Sequence, residues 1–294
     1  MTTIASTAYS RDLGDELRRL RETSTSFTGR AMAAHLGWDP SKVSNIEHGK
    51  VRATEVDLVQ WVATCGKNLE YLEEFRDRYQ HAFDAYCVQL PDNLRTLAMT
   101  EAMAHTITSY EVMVLPGLLQ TPEYARALLR EGGIEAPEDV DAFVEARVGR
   151  QSVLQRVYRP ECLFYVHELA LQTLVGDTRV MKEQYLRLLF RTHTLRIVPS
   201  KVRSSVPQSK LTLYEFDKAR PVVFSETDMA QVFAQDDLAV KRARRMFERL
   251  DAVALDPEQS RSKLAEYVSG LREDFHGRPT DLAQEQLQHG QRLR

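Results

Sequence analysis

Ser41, Lys42, Ser44 and Asn45 lie within five positions of one another and carry side chains of the kinds that read DNA bases. An amine such as Lys42 can donate to guanine O6 and N7. An amide such as Asn45 can pair with adenine N6 and N7 through two hydrogen bonds, and the hydroxyls of Ser41 and Ser44 suit either base edges or phosphate. Each good two-pronged pair is worth about 1–3 kcal/mol of discrimination between bases. Thr28, Arg30, His48, Lys50 and Arg52 flank this group at loop and helix-start positions that suit phosphate oxygens.

The segment that must position these groups is residues 28–49, TGRAMAAHLGWDPSKVSNIEHG. Ala31, Ala33, Ala34 and Leu36 favour a short helix that Thr28 can cap, and Gly37 can leave it through the left-handed region at little cost. Asp39 can cap a second helix, and Pro40 fits its first turn, where the missing N–H is no loss. Val43 and Ile46 face inward with Leu36 and Trp38, leaving the polar residues outward. Helix, glycine turn and a helix with a polar outer face form the layout of a DNA-reading helix-turn-helix.

Around this motif, Leu13, Leu17 and Leu20 predict a helix over residues 12–22, with Arg18, Arg19 and Arg21 on its solvent side. Thr54 predicts the cap of another helix, with Val56, Val59 and Trp61 or Val62 closing a small core. Residues 11–52 hold eight Lys/Arg against six acids, whereas the whole chain has a formal charge of −3. Nucleic-acid affinity must therefore come from a local patch.

With 294 residues, the chain has room for about two domains. Cys65, Cys87 and Cys162 are far apart with no CxxC pairing, which argues against a zinc ribbon or disulfide scaffold and suits a reducing cytoplasm. No apolar run is long enough for a membrane helix, and the first residues lack a signal-peptide core. The expectation is a cytoplasmic protein with no membrane association, metal or cofactor.

Composition divides the chain into a frayed, disordered N-terminus (1–10), a DNA-binding region (11–66), a helical connector (67–106), an α+β region (107–272) and a disordered polar tail (273–294). The connector is read as an aromatic-rich helix over 69–88 followed by another over 94–105. In the α+β region, residues 162–168, 194–200, 210–216 and 221–226 read as strands, and 229–234 as a fifth. Helices are expected over 137–155, 178–191, 236–253 and from 256 to about 271. The mixture of strands and helices suggests a small sheet.

LGDELRRLRE followed by AMAAHLGWDPSKVSNIEHGK resembles the Xre-type, lambda-repressor-like helix-turn-helix family. SYEVMVLPGLLQTPEYARALL, VEARVGRQ and FERLDAVALDPEQSRSKL are similar to its actinobacterial WhiJ-like branch, in which a C-terminal domain of unknown function follows. The resemblance covers roughly residues 12–268. It implies a multidomain chain: an all-α five-helix helix-turn-helix domain, then an α+β domain with a small mixed sheet. It also implies a homodimer bound to double-stranded DNA and, in many members, a small companion protein encoded nearby. Gly29 stands where the family often has Gln or Glu, and Pro40 where Gln or Ser is common, so base reading should rest on Ser41, Lys42, Ser44 and Asn45.

Other motifs carry less. His167-Glu168 begins HELAL, but a zinc-protease helix needs a second His where Leu171 stands. Glu168 is expected to cap or anchor a helix after a strand, and His167 has a lesser claim to line a pocket. Lys241, Arg242, Arg244 and Arg245 suit ion pairs with Asp237 or Glu248 better than a second DNA patch. No catalytic constellation is legible, so the chain reads as a transcription regulator and not an enzyme. Its C-terminal region would answer to a companion protein or a small-molecule effector. The alternatives are an antitoxin-like protein that holds a small companion, and an enzyme of unknown chemistry fused to a DNA-binding domain.

Overall fold

The computed structural model describes residues 6–89, 94–133, 136–201 and 209–273. Its first helix, α1 (Ala8–Ser24), is set by a capping box: the Thr7 hydroxyl accepts from Ser10 N–H, while Ser10 Oγ accepts from Thr7 N–H. Residues 8–10 were expected to be frayed, yet Ala8, Tyr9 and Ser10 are buried. They pack against the rest of the chain: Ala8 N–H donates to Gln235 Oε1 at 2.9 Å, and Thr7 Oγ1 donates to the Ala82 carbonyl. Residues 1–5 of the expected disordered N-terminus lie outside the described residues.

The helices α2 (Gly29–Leu36), α3 (Pro40–Glu47), α4 (Glu55–Thr64) and α5 (Leu69–Tyr79) follow, each started by a side-chain cap from Thr28, Asp39, Thr54 and Asn68 respectively. Gly37 ends α2 at φ 68°, in the left-handed region expected for it. The core of α4 differs from expectation. Leu58, Trp61 and Val62 are buried, whereas Val56 and Val59 are exposed. Spacings of three and four from Leu58 select the buried set, and Val56 and Val59 fall on the opposite face.

The connector differs more. The aromatic helix stops at Tyr79, and Tyr86–Gln89 is a strand, β1, at the edge of the sheet. After α6 (Leu94–Met103) comes β2 (Thr106–Glu111), also unforeseen. The remaining elements are α7 (Pro122–Gly132), α8 (Val140–Arg150), β3 (Glu161–His167), α9 (Glu168–Gln172), α10 (Thr178–Leu189), β4 (Leu195–Val198), β5 (Leu211–Glu215), β6 (Val222–Glu226), β7 (Gln231–Ala234), α11 (Asp237–Val253) and α12 (Pro257–Glu273). The helix expected over 137–155 ends at Arg150 and continues as a tighter 3₁₀ turn, Gln151–Gln155. The tail beyond Glu273 lies outside the described residues.

The strands form one mixed seven-stranded sheet in the order β1-β7-β6-β5-β2-β3-β4, larger than expected. β2, β3 and β4 run parallel, and the other pairings are antiparallel. Alternation assigns its two faces. Tyr110, Tyr165, Leu213 and Val223 pack under α11 through Val240, Ala243, Phe247 and Leu250. Ile107, Phe164, Tyr214 and Phe224 face the other way, into a core continuous with that of the N-terminal helices. The chain is thus a helical helix-turn-helix region, α1–α5, followed by an α+β region.

Candidate nucleic-acid interface

Successive residues of α3 turn by about 100° around its axis. That rotation brings Ser41, Ser44, Asn45 and His48 onto one side, spaced three and four apart. Ser41, Ser44 and His48 are exposed and Asn45 is half-buried, while Val43 and Ile46 are each 1% exposed on the inner side. The hydroxyls and amide named from sequence therefore share one accessible stripe. His48, expected to flank it, belongs to it: Nδ1–H donates to the Ser44 carbonyl at 2.6 Å. Asp39 holds the start of the helix by accepting from Ser41 N–H at 2.7 Å, and hydrogen bonding from Ser41 keeps its carboxyl below the usual range.

Lys42 lies to one side of this stripe. Its Nζ is 2.6 Å from Asp57 Oδ1 on α4 and 4.1 Å from the centroid of the Trp38 ring. Burial would raise the Asp57 carboxyl, but the hydrogen bond from Lys42 and those at Thr54 lower it on balance. The lysine expected to reach a base is thus held against α4. Trp38 is half-buried between Lys42 and Trp61, its ring 6.0 Å from that of Trp61, and Leu36 is also half-buried against the core.

Two further contacts fix α3 from behind, and spacing alone did not reveal them. Arg21, expected on the solvent side of α1, is buried. Its Nε donates to Glu47 Oε1 at 2.6 Å, and its Nη1 donates to the Phe27 carbonyl at 2.8 Å. Burial alone would lower the Arg21 pKa, but Glu47 and Glu22 raise it on balance. Two turns earlier on α1, Gly14 allows a close approach. A Cβ there would lie 2.6 Å from the Ile46 carbonyl and 2.8 Å from Gly49 N. Ser10 Oγ donates to the Gly49 carbonyl at 2.8 Å. The last turn of α3 therefore rests on backbone, a buried ion pair and a hydroxyl, all from α1.

The flanking residues divide. Thr28, Arg30 and Lys50 are exposed, and neither Arg30 nor Lys50 makes an ion pair among the described residues. Arg52 was expected on a phosphate, yet it donates through Nη2 to the Gln80 carbonyl and sits 5.7 Å from the Phe83 ring centroid. It braces the end of α5.

In the α+β region, His167 caps α9 by accepting from Leu169 N–H at 3.2 Å. Burial lowers its pKa, with Glu168 opposing. Glu168 anchors the fold as expected. It accepts from Ser200 N–H and Oγ at 2.9 and 2.8 Å, from Tyr267 at 3.1 Å, and pairs with Lys263 at 3.1 Å. Burial would raise its pKa, but these bonds bring it down to about 2. Of the basic run, Arg244 pairs across elements with Glu215 on β5, not with Asp237 or Glu248.

Residues 94–266, more than half of the chain, match the family described as Domain of unknown function (DUF5753). The chain belongs to that family. Residues 12–74 match a helix-turn-helix domain, the segment that carries the α3 stripe and its support. A helix-turn-helix domain in this place points to a DNA-binding regulator more than to an enzyme. No curated protein and no solved structure matches the chain. Among the described residues, no helix is long and apolar enough to cross a membrane, and no group of three or more His, Cys, Asp or Glu could hold a metal ion.

Proposed function

We propose that this chain is a sequence-specific transcription regulator of the Xre type, allied to the WhiJ-like branch, that acts in the cytoplasm. α3 enters the major groove, and Ser41, Ser44 and Asn45 meet base edges. Lys42 joins them by exchanging Asp57 for guanine. Thr28, Arg30, His48 and Lys50 hold phosphates. The observation that carries this reading is the accessible polar stripe on α3, on a helix whose opposite side is locked to α1.

A homodimer would present two copies of α3 to half-sites about 34 Å apart on a roughly palindromic operator. The α+β region would pair the protomers and answer to a companion protein or small molecule. Selection of bound duplexes from a random pool tests this. The expected outcome is one enriched sequence with two related halves spaced by a helical turn. Retention of the pool without enrichment would contradict sequence-specific binding.

A further inference from the structure

Between the sheet and helices α6–α8 lies a cavity of about 290 Å³. Alternate residues of β2, namely Ile107, Ser109 and Glu111, form part of its floor, with Phe164, Tyr214 and Phe224 beside them. Leu97 and Phe143 help close it from above, and exposed Gly132 and Asp228 border its mouth. Apolar and aromatic side chains share the lining with polar groups, seven of them charged, a mixture that suits a small molecule with an apolar body and a charged end.

Two of those polar groups lack partners. Ser109 Oγ is fully buried and has no hydrogen bond, although Ser109 is only 4% exposed. A buried hydroxyl left unmade costs free energy that a ligand can recover. Glu111 makes no hydrogen bond or ion pair among the described residues, and it lines the cavity half-buried. The neighbouring charges are matched within the protein: Glu101 with Arg150 at 2.7 Å, and Glu226 with Lys210 at 2.7 Å. Arg147 donates to Gln120 Oε1 at 3.2 Å. Counting all lining groups, four acids (Glu101, Glu111, Glu226, Asp228) face three bases (Arg147, Arg150, Lys210). Once Glu111 is ionised, the surplus is one negative charge beside aromatic walls.

We propose that this cavity binds a small apolar molecule bearing one protonated amine, held between the aromatic walls with its ammonium on Glu111 and a second polar group on Ser109. Burial, opposed by Lys210 and Arg147 and aided by Glu226, raises the Glu111 pKa to about 7. The phenols of Tyr124 and Tyr214, also near Glu111, stay protonated in this range because burial raises both. The amine therefore binds more tightly as pH rises through 7 and Glu111 ionises.

The cavity also has a route to α3. Leu94, Leu97 and Glu101 of α6 face it, while Arg95 and Thr96 of the same helix hold Asp12 of α1. Thr96 Oγ1 donates to Asp12 Oδ2 at 2.8 Å, and Arg95 Nε lies 2.9 Å from Asp12 Oδ1. α1 in turn carries the Arg21–Glu47 pair. Occupancy of the cavity shifts α6 and, on the DNA-reading proposal above, the affinity of α3 for its operator; this last effect rests on that proposal.

Phenethylamine, with 2-phenylethanol as its neutral counterpart, is the probe, titrated calorimetrically against the full chain at pH 8. The expected result is binding of the amine at least tenfold tighter than the alcohol, with the preference lost in Glu111→Gln. Gly132→Trp, at a mouth position where an added Cβ meets nothing within 4 Å, weakens both probes. Amine binding that is absent, no tighter than that of the alcohol, or unchanged in both variants would overturn the site. Hydrogen exchange without DNA reads the coupling: the amine should alter protection in α6 and α1, and protection unchanged there would overturn the route. Because neither measurement involves DNA, failure of the DNA-reading proposal remains distinguishable.

Discussion

Arg21 on α1 and Glu47 at the end of α3 form an ion pair at 2.6 Å in which both side chains are 7% exposed. With the Phe27 carbonyl as a further acceptor, this guanidinium joins the first helix, the entry to α2 and the proposed reading helix. Removing one partner leaves the other side chain buried and, apart from the exposed Glu22 at 3.1 Å from Arg21, without an opposite charge, a loss of about 3–5 kcal/mol. Arg21→Ala and Glu47→Ala should each lower unfolding stability by that order. The double variant Arg21→Met/Glu47→Leu should recover much of the loss, because no lone charge remains. Chemical denaturation of the three variants measures this. Additive losses in the double variant would contradict the pairing.

Lys42 and Asp57 make a second, more exposed link, since the lysine side chain is 37% exposed. Lys42→Ala should therefore cost about 1 kcal/mol or less of stability. On the proposed function it should also relax base preference at one operator position. Asp57→Asn loosens the lysine but weakens the capping box of α4, in which Asp57 Oδ2 accepts from Thr54 N–H at 3.0 Å. Thermal unfolding and a base-substitution binding series separate the two effects.

Glu168 links β3 and α9 to Ser200 and α12 through Ser200, Tyr267 and Lys263. Its carboxyl falls from an ordinary 4.5 to about 2, so its contribution is fully present above 4.5 and is lost as pH falls towards 2. The shift corresponds to about 3 kcal/mol at neutral pH. Glu168→Gln should lose stability at pH 7, and the difference from the natural chain should shrink steadily below pH 4.5. A difference independent of pH would assign the loss to packing instead.

Glu111 runs in the opposite sense. Its pKa is raised to about 7, so the neutral carboxyl suits the folded chain, and stability is lost as pH rises from 4.5 through 7. Without ligand, Glu111→Gln should match the natural chain at pH 4.5 and exceed it at pH 8, as read by melting temperature across that range. Equal curves at both ends would place the Glu111 carboxyl in ordinary solvent.

The helix-turn-helix was legible because its signals are local. Thr28, Gly37, Asp39 and Pro40 each act on backbone within three residues, and the structure shows each cap and turn in its expected role. Five strands of the sheet were also legible, because β-branched and aromatic runs stand between turn residues. β1 and β2 were missed for a physical reason. Tyr86–Gln89 is four residues long and continues an aromatic spacing that suits a helix, and its pairing with β7 depends on residues about 145 positions away. β2 follows α6 after a two-residue break, and the face of it that lines a cavity carries polar Ser109 and Glu111, which breaks the apolar run a buried strand would show. The supports of the site were hidden similarly. Arg21 stands four residues after Leu17, beside the apolar stripe, but nothing in LRRLRE supplies the partner that would let an arginine be buried there until Glu47 is brought against it, and nothing near Lys42 foretells Asp57.

Reading of DNA by the outer stripe of α3 is tested most directly by the base preference of Asn45→Ala beside Lys50→Ala. Affinities are to be measured on the selected operator and on each single-base substitution, at several salt concentrations. Asn45→Ala should lose discrimination at one position of each half-site, of about 1–3 kcal/mol, while preferences elsewhere persist. Lys50→Ala should instead weaken every sequence alike and reduce the salt dependence by about one phosphate contact. Base preferences unchanged by Asn45→Ala would remove that residue from the reading set. If Ser41→Ala and Ser44→Ala also left them intact, the claim that this stripe reads DNA would be contradicted.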